Sequence, residues 1–230
     1  MTTRKKRGRS RQQGSSLTQI LIVVGTAVVA VALLAALNSG RLLPAKVGKL
    51  AYETGVTPDG QPYKGSPDAP LKLVEYSDFS CIHCVEFAAA LNALGPDYIR
   101  TGKVQVIYRN FPSVTPEPYP SAQAAECALD QGADKFWQYH DLLFANPRDY
   151  SNTRLKMYAQ EIGLDMTAFN RCLDSGVKYK EVQADHDAGA SQGVEGTPTW
   201  FLNGQKMPGA LPEDQLRQLF DEMLSKGSVK

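Results

Sequence analysis

The sequence predicts an α/β fold whose strands are separated by an all-helical insertion, with a single transmembrane helix ahead of the folded part. A strand, a helix and a second strand follow one another between residues 71 and 108, which suggests a parallel βαβ unit. Residues 121–192 then become helical in character, and strands return from residue 199. An uncharged apolar run precedes all of these elements.

The N-terminus is basic and leads into the apolar run. Residues 1–50 hold nine Lys or Arg and no Asp or Glu, and the uncharged run over 20–37 is 18 residues long, enough to span a bilayer as a helix. Because a basic flank keeps the N-terminus in the cytoplasm, we predict a basic cytoplasmic tail over 1–16, a signal anchor over 17–39 and an extracytoplasmic remainder. The alternative is a cleaved signal peptide, whose apolar region is usually shorter and ends in small residues.

Charge is unevenly distributed along the chain. The net charge of +1 comes from 25 Lys or Arg against 24 Asp or Glu. Without the nine basic residues of the first 50, residues 51–230 hold 16 basic and 24 acidic groups, a net charge of −8. A folded part this acidic, with no basic stripe, is a poor nucleic-acid binder, so we predict no nucleic-acid partner.

Residues 40–66 are predicted to form a linker. Pro and Gly occur there too densely for a regular helix or strand, and the segment would hold the folded part a short way from the membrane. The folded part then divides into a first strand-containing segment over 67–114, the helical insertion over 115–193 and a second strand-containing segment over 194–230.

The first strand of the folded part leads into a Cys-x-x-Cys pair. Residues 71–76 are typical of a short strand, and 85–94 are rich in Ala and Leu, as in a helix. Unpaired backbone N–H groups and the helix dipole favour a thiolate at the start of such a helix. We therefore predict Cys81 as the exposed, reactive thiol and Cys84 as the inner one. His83, between them, would favour the Cys81 thiolate further, by positive charge or by a hydrogen bond.

The remaining elements follow from periodicity and turn residues. Residues 104–108 alternate as in a buried strand, and the loop after them contains three prolines. Residues 199–202 and 205–207 form a predicted hairpin, because the Asn-Gly pair between them is the strongest short hairpin signal. A closing amphipathic helix is predicted over 212–224.

All four cysteines lie beyond the apolar run, in a compartment where disulfides persist. An exported Cys-x-x-Cys indicates a dithiol/disulfide couple. An all-cysteine zinc site would need a second such motif, and Cys127 and Cys172 are 45 positions apart, so no metal site is predicted. These two cysteines are either buried free thiols or a disulfide between two helices of the insertion. The even cysteine count favours the disulfide, which would stabilise the fold by roughly 4 kcal/mol.

With these motifs in place, the chain resembles the thioredoxin superfamily and, within it, the DsbA-like thiol–disulfide oxidoreductases in a membrane-anchored form. Three features occur in that family's order: Cys81-Ile82-His83-Cys84 after a strand, a long helical insertion, and Gly196-Thr197-Pro198-Thr199 before a hairpin. The resemblance covers roughly residues 67–226. It implies a thioredoxin fold into which the all-helical domain is inserted.

The resemblance also implies roles for further residues. The Thr197–Pro198 bond would be cis and would face the dithiol, with the Thr197 backbone pairing with an extended peptide. Glu75 aligns with a buried acid that assists proton movement at Cys84, although by sequence alone it could equally be a solvated strand residue. Ile82 departs from the family pattern, because many oxidases have Pro there, and the residues between the cysteines tune the redox potential.

The activity that the resemblance implies is that of a protein disulfide oxidoreductase. It would introduce disulfides into unfolded or reduced exported proteins through the Cys81–Cys84 pair, with no cofactor besides that redox-active disulfide. A DsbB-like or VKOR-like membrane protein would re-oxidise it. Two alternatives remain: a disulfide reductase or isomerase of the same fold, and a membrane-tethered module that binds a soft metal such as Cu(I) through both cysteines and His83.

Overall fold

The computed structural model of the protein describes residues 51–114, 119–147 and 149–227. The predicted tail over 1–16, the predicted anchor over 17–39 and the first part of the predicted linker lie outside the described residues. Among the described helices, none combines the length and the apolar character that a membrane span requires.

Six strands form one mixed sheet in the order β1-β2-β4-β3-β5-β6. The strands are β1 Thr54–Val56, β2 Pro62–Lys64, β3 Leu71–Ser77, β4 Val104–Asn110, β5 Thr199–Leu202 and β6 Gln205–Pro208. Strands β3 and β4 are parallel, with Leu71 opposite Val104 and Ser77 opposite Asn110, and the other neighbouring pairs are antiparallel. The predicted βαβ unit and the predicted hairpin are therefore confirmed.

The helices fall into three groups along the chain. They are α1 Ile82–Leu94, followed by a π-helical turn over Gly95–Ile99, then α2 Pro120–Leu129, α3 Ala133–Ala145, α4 Asn152–Glu161, α5 Met166–Ser175, α6 Tyr179–Ser191 and finally α7 Glu213–Gly227. Helices α2 to α6 lie between β4 and β5 in the sequence. The predicted α/β fold with a helical insertion is thereby confirmed.

The predicted linker is the main correction to the fold. Over residues 54–64 the prediction of no regular structure is wrong, because β1 and β2 form an antiparallel hairpin there. Strand β2 continues onto the sheet, with Lys64 opposite Val106 of β4. The Pro and Gly residues fit this hairpin: Gly60 lies in its turn with a φ of 89°, and Pro62 is the first residue of β2, where a missing N–H is tolerated.

Cys127 of α2 and Cys172 of α5 are joined by a disulfide, with Cα atoms 5.8 Å apart. The predicted disulfide between these two cysteines is confirmed, and the alternative of two free thiols is wrong. The bond ties two helices of the insertion across 45 residues of chain. In the chain-entropy account, closing a loop of that length stabilises the fold by about 4 kcal/mol.

The main core lies on one face of the sheet and holds α1 in place. Alternate residues of β3 and β4 point into it, among them Leu73, Val106 and Tyr108, all fully buried. From α1, Phe87 stacks on Trp200 of β5 with ring centroids 5.4 Å apart. This packing fixes the start of α1 beside the end of β3, where the chain carries its Cys-x-x-Cys pair.

Candidate active site

The dithiol lies at the junction between β3 and α1. Cys81 is the N-cap residue of α1, with extended backbone angles, and Cys84 lies in the first turn. Both are free thiols, and Cys84 is fully buried. Only 7% of Cys81 is exposed, so the prediction of an exposed thiol is wrong. The cause is a neighbouring loop, whose Thr197 carbonyl accepts a hydrogen bond from the Cys81 Sγ at 3.3 Å.

That loop contains the cis-proline. The Thr197–Pro198 peptide bond is cis, as the family resemblance implied. The loop is anchored on both sides of the proline: the Gly209 N–H donates to the Pro198 carbonyl at 2.8 Å, and the Thr199 hydroxyl donates to the Gly196 carbonyl at 2.7 Å. A cavity of about 270 Å³ is lined by this loop and β6. The loop therefore offers a fixed backbone edge close to the Cys81 sulfur.

His83 points away from the sulfurs. Its side chain is 66% exposed, and its Nδ1 lies 3.1 Å from Glu86 Oε2, one turn further along α1. Within the described ranges, no hydrogen bond or ion pair joins His83 to Cys81 or Cys84. Of the two predicted effects on the Cys81 thiolate, the hydrogen bond is not formed, and the effect of positive charge stays a prediction.

Glu75 is buried on β3, between Tyr108 of β4 and Trp200 of β5 in register. It is 1% exposed, so the alternative of a solvated strand residue is wrong. Burial raises the pKa of its carboxyl group to about 7, and the positive charge of Lys64 offsets part of that rise. A carboxyl group with such a pKa can release or take up a proton near neutral pH.

Cys84 is held in a site that disfavours its thiolate. Burial raises the pKa of the Cys84 thiol well above its ordinary value, and the charge of Glu75 adds to the rise. The backbone N–H of Asp78 points at its sulfur, with a distance of 3.5 Å between the nitrogen and Sγ. That hydrogen bond offsets part of the rise, but burial is the larger effect, so Cys84 keeps its proton when reduced.

Lys64 is a buried cation that the sequence analysis missed. It is 2% exposed, and its Nζ donates to Asn92 Oδ1 at 3.0 Å and lies 4.4 Å from the centre of the Trp137 ring. Burial lowers the pKa of Lys64, while the negative charges of Asp141 and Glu75 raise it. No sequence signal could have found this residue, since it belongs to a three-residue strand inside the predicted linker.

The sheet register brings Lys64 and Glu75 to the same face. Lys64 lies opposite Val106, and Val106 lies opposite Leu73. Glu75 is two residues beyond Leu73, and side chains two residues apart on a strand share a face. The buried carboxyl group and the buried ammonium group thus lie in the same layer beneath the dithiol.

The alternative of a soft-metal module rests on Cys81, Cys84 and His83. In the part of the chain that the structure describes, no group of three or more His, Cys, Asp or Glu residues is arranged to hold a metal ion. Of these three residues, His83 pairs with Glu86 instead of the sulfurs.

A dithiol at a helix start, a cis-proline loop against its outer sulfur and a helical insertion within a mixed sheet are the features on which the resemblance to the thioredoxin superfamily rests. The family is established by sequence: the model of the family described as Thioredoxin matches residues 57–222. This chain belongs to the thioredoxin family.

The chain is similar to proteins with two kinds of name, and it spans less than a third of the antiporters that it matches. The chain is 28% identical over 216 residues to a "Probable disulfide bond formation protein D" of Bacillus anthracis, covering 90% of this chain and 92% of that protein. It is 34% identical over 198 residues to "Na(+)/H(+) antiporter NhaA 3" of Salinispora tropica; this covers 85% of the chain but only 29% of the antiporter. Among solved structures, oxidised BdbD from Bacillus subtilis superposes with a TM-score of 0.65 at 23% identity, over 76% of this chain and 98% of BdbD.

Proposed function

We propose that this protein is an extracytoplasmic disulfide oxidoreductase that introduces disulfide bonds into reduced exported proteins. The observation that carries the proposal is the placement of Cys81 at the start of α1, 3.3 Å from the carbonyl of the cis-proline loop and one turn from a buried Cys84. This arrangement separates a reactive outer sulfur from an inner sulfur that retains its proton.

The reaction begins with the Cys81–Cys84 pair as a disulfide. A substrate thiolate attacks the Cys81 sulfur, a mixed disulfide forms, and the bond to Cys84 breaks. The Cys84 sulfur leaves with the electron pair and takes up a proton. A second substrate thiolate then attacks the substrate sulfur of the mixed disulfide and releases Cys81 as a thiolate. Two substrate thiols are oxidised to one disulfide, and the enzyme disulfide is reduced to a dithiol.

Glu75 is the proton source that we propose for Cys84. Its carboxyl group is buried with Cys84, and its pKa of about 7 keeps it partly protonated near neutral pH. The positive charge of Lys64 lowers the pKa of Glu75. Without that charge, the Glu75 carboxyl group would stay protonated to a higher pH. A proton can therefore be supplied to Cys84 when the disulfide opens and returned to Glu75 from solvent afterwards.

The oxidising direction depends on Cys81 as a leaving group. A thiolate at a helix start is stabilised by unpaired backbone N–H groups and by the helix dipole. A stabilised thiolate leaves readily, which favours transfer of the disulfide to the substrate. A protonated His83 would add to this effect. The reverse direction, a disulfide reductase or isomerase, is the second candidate, because Ile82 stands where many oxidases have Pro.

The cis-proline loop provides the peptide-binding edge in this proposal. Once Cys81 is part of a disulfide it has no S–H to donate, so the Thr197 carbonyl becomes available to an N–H of an extended peptide. Ile82, next to Cys81 and 52% exposed, offers an apolar contact beside the reacting sulfur. Both features favour binding of an unfolded substrate segment that contains a cysteine.

Anchoring and re-oxidation are further parts of the proposal. The basic tail and the apolar run over 17–39 support a single membrane anchor with a cytoplasmic N-terminus. The Cys127–Cys172 disulfide supports an oxidising compartment for the folded part. A DsbB-like or VKOR-like membrane protein would then return the Cys81–Cys84 pair to the disulfide.

A single-turnover assay tests this function. The full-length protein in detergent, oxidised beforehand and freed of oxidant, is mixed with a reduced two-cysteine peptide, and formation of the peptide disulfide is measured. We expect one peptide disulfide per protein and none with Cys81→Ser. A double variant, Cys127→Ala with Cys172→Ala, is the control and should keep the stoichiometry. Peptide oxidation by the Cys81→Ser variant at the wild-type rate would disprove the proposed role of this pair.

A further inference from the structure

Asp78 carries a buried carboxylate that links two segments beside the dithiol. It follows β3 and is 3% exposed. One carboxylate oxygen accepts the Ser80 N–H at 2.8 Å, and the other accepts the N–H groups of Ser113 at 2.8 Å and Val114 at 2.7 Å. Ser80 belongs to the turn before Cys81, whereas Ser113 and Val114 belong to the segment after β4. One side chain therefore joins the turn that carries the reactive thiol to a segment 35 residues further along.

The same segment contacts the cis-proline loop. Ser113 Oγ and Thr197 Oγ1 lie 3.0 Å apart, at hydrogen-bonding distance. The Thr197 carbonyl in turn accepts the hydrogen bond from Cys81 Sγ, and the Cys81 N–H donates to the Asp78 carbonyl at 3.0 Å. Asp78, Ser113, Thr197 and Cys81 thus form a closed ring of hydrogen bonds around the reactive sulfur, built from three separate parts of the chain.

The Asp78 carboxylate is the one charged member of this ring. A carboxylate that accepts several backbone N–H groups makes stronger hydrogen bonds than a neutral acceptor does. Its loss would leave three N–H groups without this acceptor and would release Ser113 from its position against Thr197. The Asp78 backbone N–H, separately from the carboxylate, lies 3.5 Å from Cys84 Sγ.

We propose that Asp78 is a positioning residue for peptide substrates, acting through Ser113 on the Thr197 backbone. The inference rests on the proposed function and adds a substrate distinction to it. An extended peptide needs the Thr197 edge held in one position, and a positioned edge lowers the entropy cost of binding. A small thiol without amide groups, such as 2-mercaptoethanol, reacts at the Cys81 sulfur and cannot pair with that edge.

The test compares a peptide with a small thiol on the same protein. Full-length oxidised protein in detergent is reduced by a cysteine-containing peptide over a range of concentrations, which gives a maximal rate and a half-saturation concentration. Reduction by 2-mercaptoethanol gives a second-order rate constant. The variants are Asp78→Ala, Asp78→Asn and Ser113→Ala. Asp174→Asn on α5 is the matched control, because that carboxylate forms an ion pair with Lys156 at the surface of the insertion.

We expect Asp78→Ala and Ser113→Ala to raise the half-saturation concentration for the peptide by about tenfold, the scale of one or two lost hydrogen bonds. The 2-mercaptoethanol rate constant should change by less than about twofold. Asp78→Asn should lie between Asp78→Ala and wild type, since its amide oxygen still accepts hydrogen bonds. The control should match wild type in both assays.

Two results would overturn the proposal. One is an unchanged half-saturation concentration in Ser113→Ala and Asp78→Asn, the variants that alter the fold least. The other is an equal loss with peptide and with 2-mercaptoethanol, which would indicate damage to the dithiol rather than to the binding edge. If Asp78→Ala does not fold, the results for Asp78→Asn and Ser113→Ala test the proposal. A wild-type protein that neither thiol reduces would refute the proposed function itself, and this inference with it.

Discussion

Glu75 is a carboxyl group whose protonation is controlled by burial beneath the dithiol. Its pKa in the folded protein is about 7, against an ordinary value of 4.5. Between these two values the folded state binds more protons than the unfolded state, so this group's contribution to stability falls as the pH rises through that window. Above about pH 7 the charged carboxylate stays buried at a constant cost.

Replacing Glu75 by Gln removes that cost. We predict that Glu75→Gln raises the free energy of unfolding by about 3 kcal/mol at pH 8 and changes it little at pH 4. Urea denaturation at four pH values between 4 and 8 measures the difference. Glu86→Gln, at an exposed position of α1, is the control. A stabilisation of equal size at every pH would contradict the assignment of the raised pKa to Glu75.

Lys64 should set the pH at which Glu75 works. Its positive charge lowers the pKa of Glu75, so Lys64→Met, which keeps the length of the side chain, should raise that pKa. We predict that the inflection in the pH profile of single-turnover peptide oxidation moves to higher pH. Lys72→Met is the control, because Lys72 is an exposed residue of β3. An inflection that stays in place would show that Lys64 does not act on Glu75.

At the residue scale, the sequence predicts the site residues that belong to a short motif. It does not predict the residues whose partners are distant along the chain. Cys81, Cys84 and Pro198 belong to short motifs, so they were predictable. Lys64 and Asp78 act through partners many residues away, namely Asn92 for one and Ser113 for the other. Only the folded chain brings such pairs together.

At the element scale, the β1–β2 hairpin is the feature that places Lys64 in the core. Gly65, directly after β2, has a φ of 94°, and a Cβ atom there would lie 2.4 Å from the Val104 carbonyl oxygen. Both the backbone angle and the clash oppose any side chain at this position. Gly at residue 65 therefore lets the hairpin join the sheet without strain.

Two alanine substitutions separate the clash from the backbone strain. Gly60→Ala, in the hairpin turn, has a φ of 89° but nothing within 4 Å of the new Cβ, so it should cost about 1 kcal/mol of stability. Gly65→Ala should cost about 3 kcal/mol, because β2 must also move away from Val104. Urea denaturation of both variants measures the costs. Equal costs would mean that the close approach to β4 does not constrain the hairpin.

The longer elements were predictable because each bears its own pattern. Strands β3 and β4 alternate or carry continuous apolar residues, α7 has an apolar face, and the Asn-Gly pair marks the β5–β6 turn. Strands β1 and β2 have three residues each, too few for any period to be seen. They are stable as strands because β2 pairs with β4, a contact that the local sequence does not encode.

At the scale of the whole molecule, the described chain has two parts with different roles. A sheet positions the dithiol, and a disulfide cross-links two helices of the helical insertion. The two cysteine pairs have different surroundings. Cys127 and Cys172 are bonded between two helices, whereas Cys81 and Cys84 are free thiols at one helix start, beside the cis-proline loop. The oxidase proposal assigns stability to the first pair and electron transfer to the second.

The reduction potential of the Cys81–Cys84 couple tests that account most directly. The full-length protein in detergent is equilibrated in glutathione buffers, and the fraction of reduced Cys81 is measured by alkylation. Cys81→Ser serves as the blank. The account predicts a potential well above that of thioredoxin, about −270 mV, and closer to that of DsbA, about −120 mV. A potential at or below that of thioredoxin would contradict it and would assign the same site to a disulfide reductase.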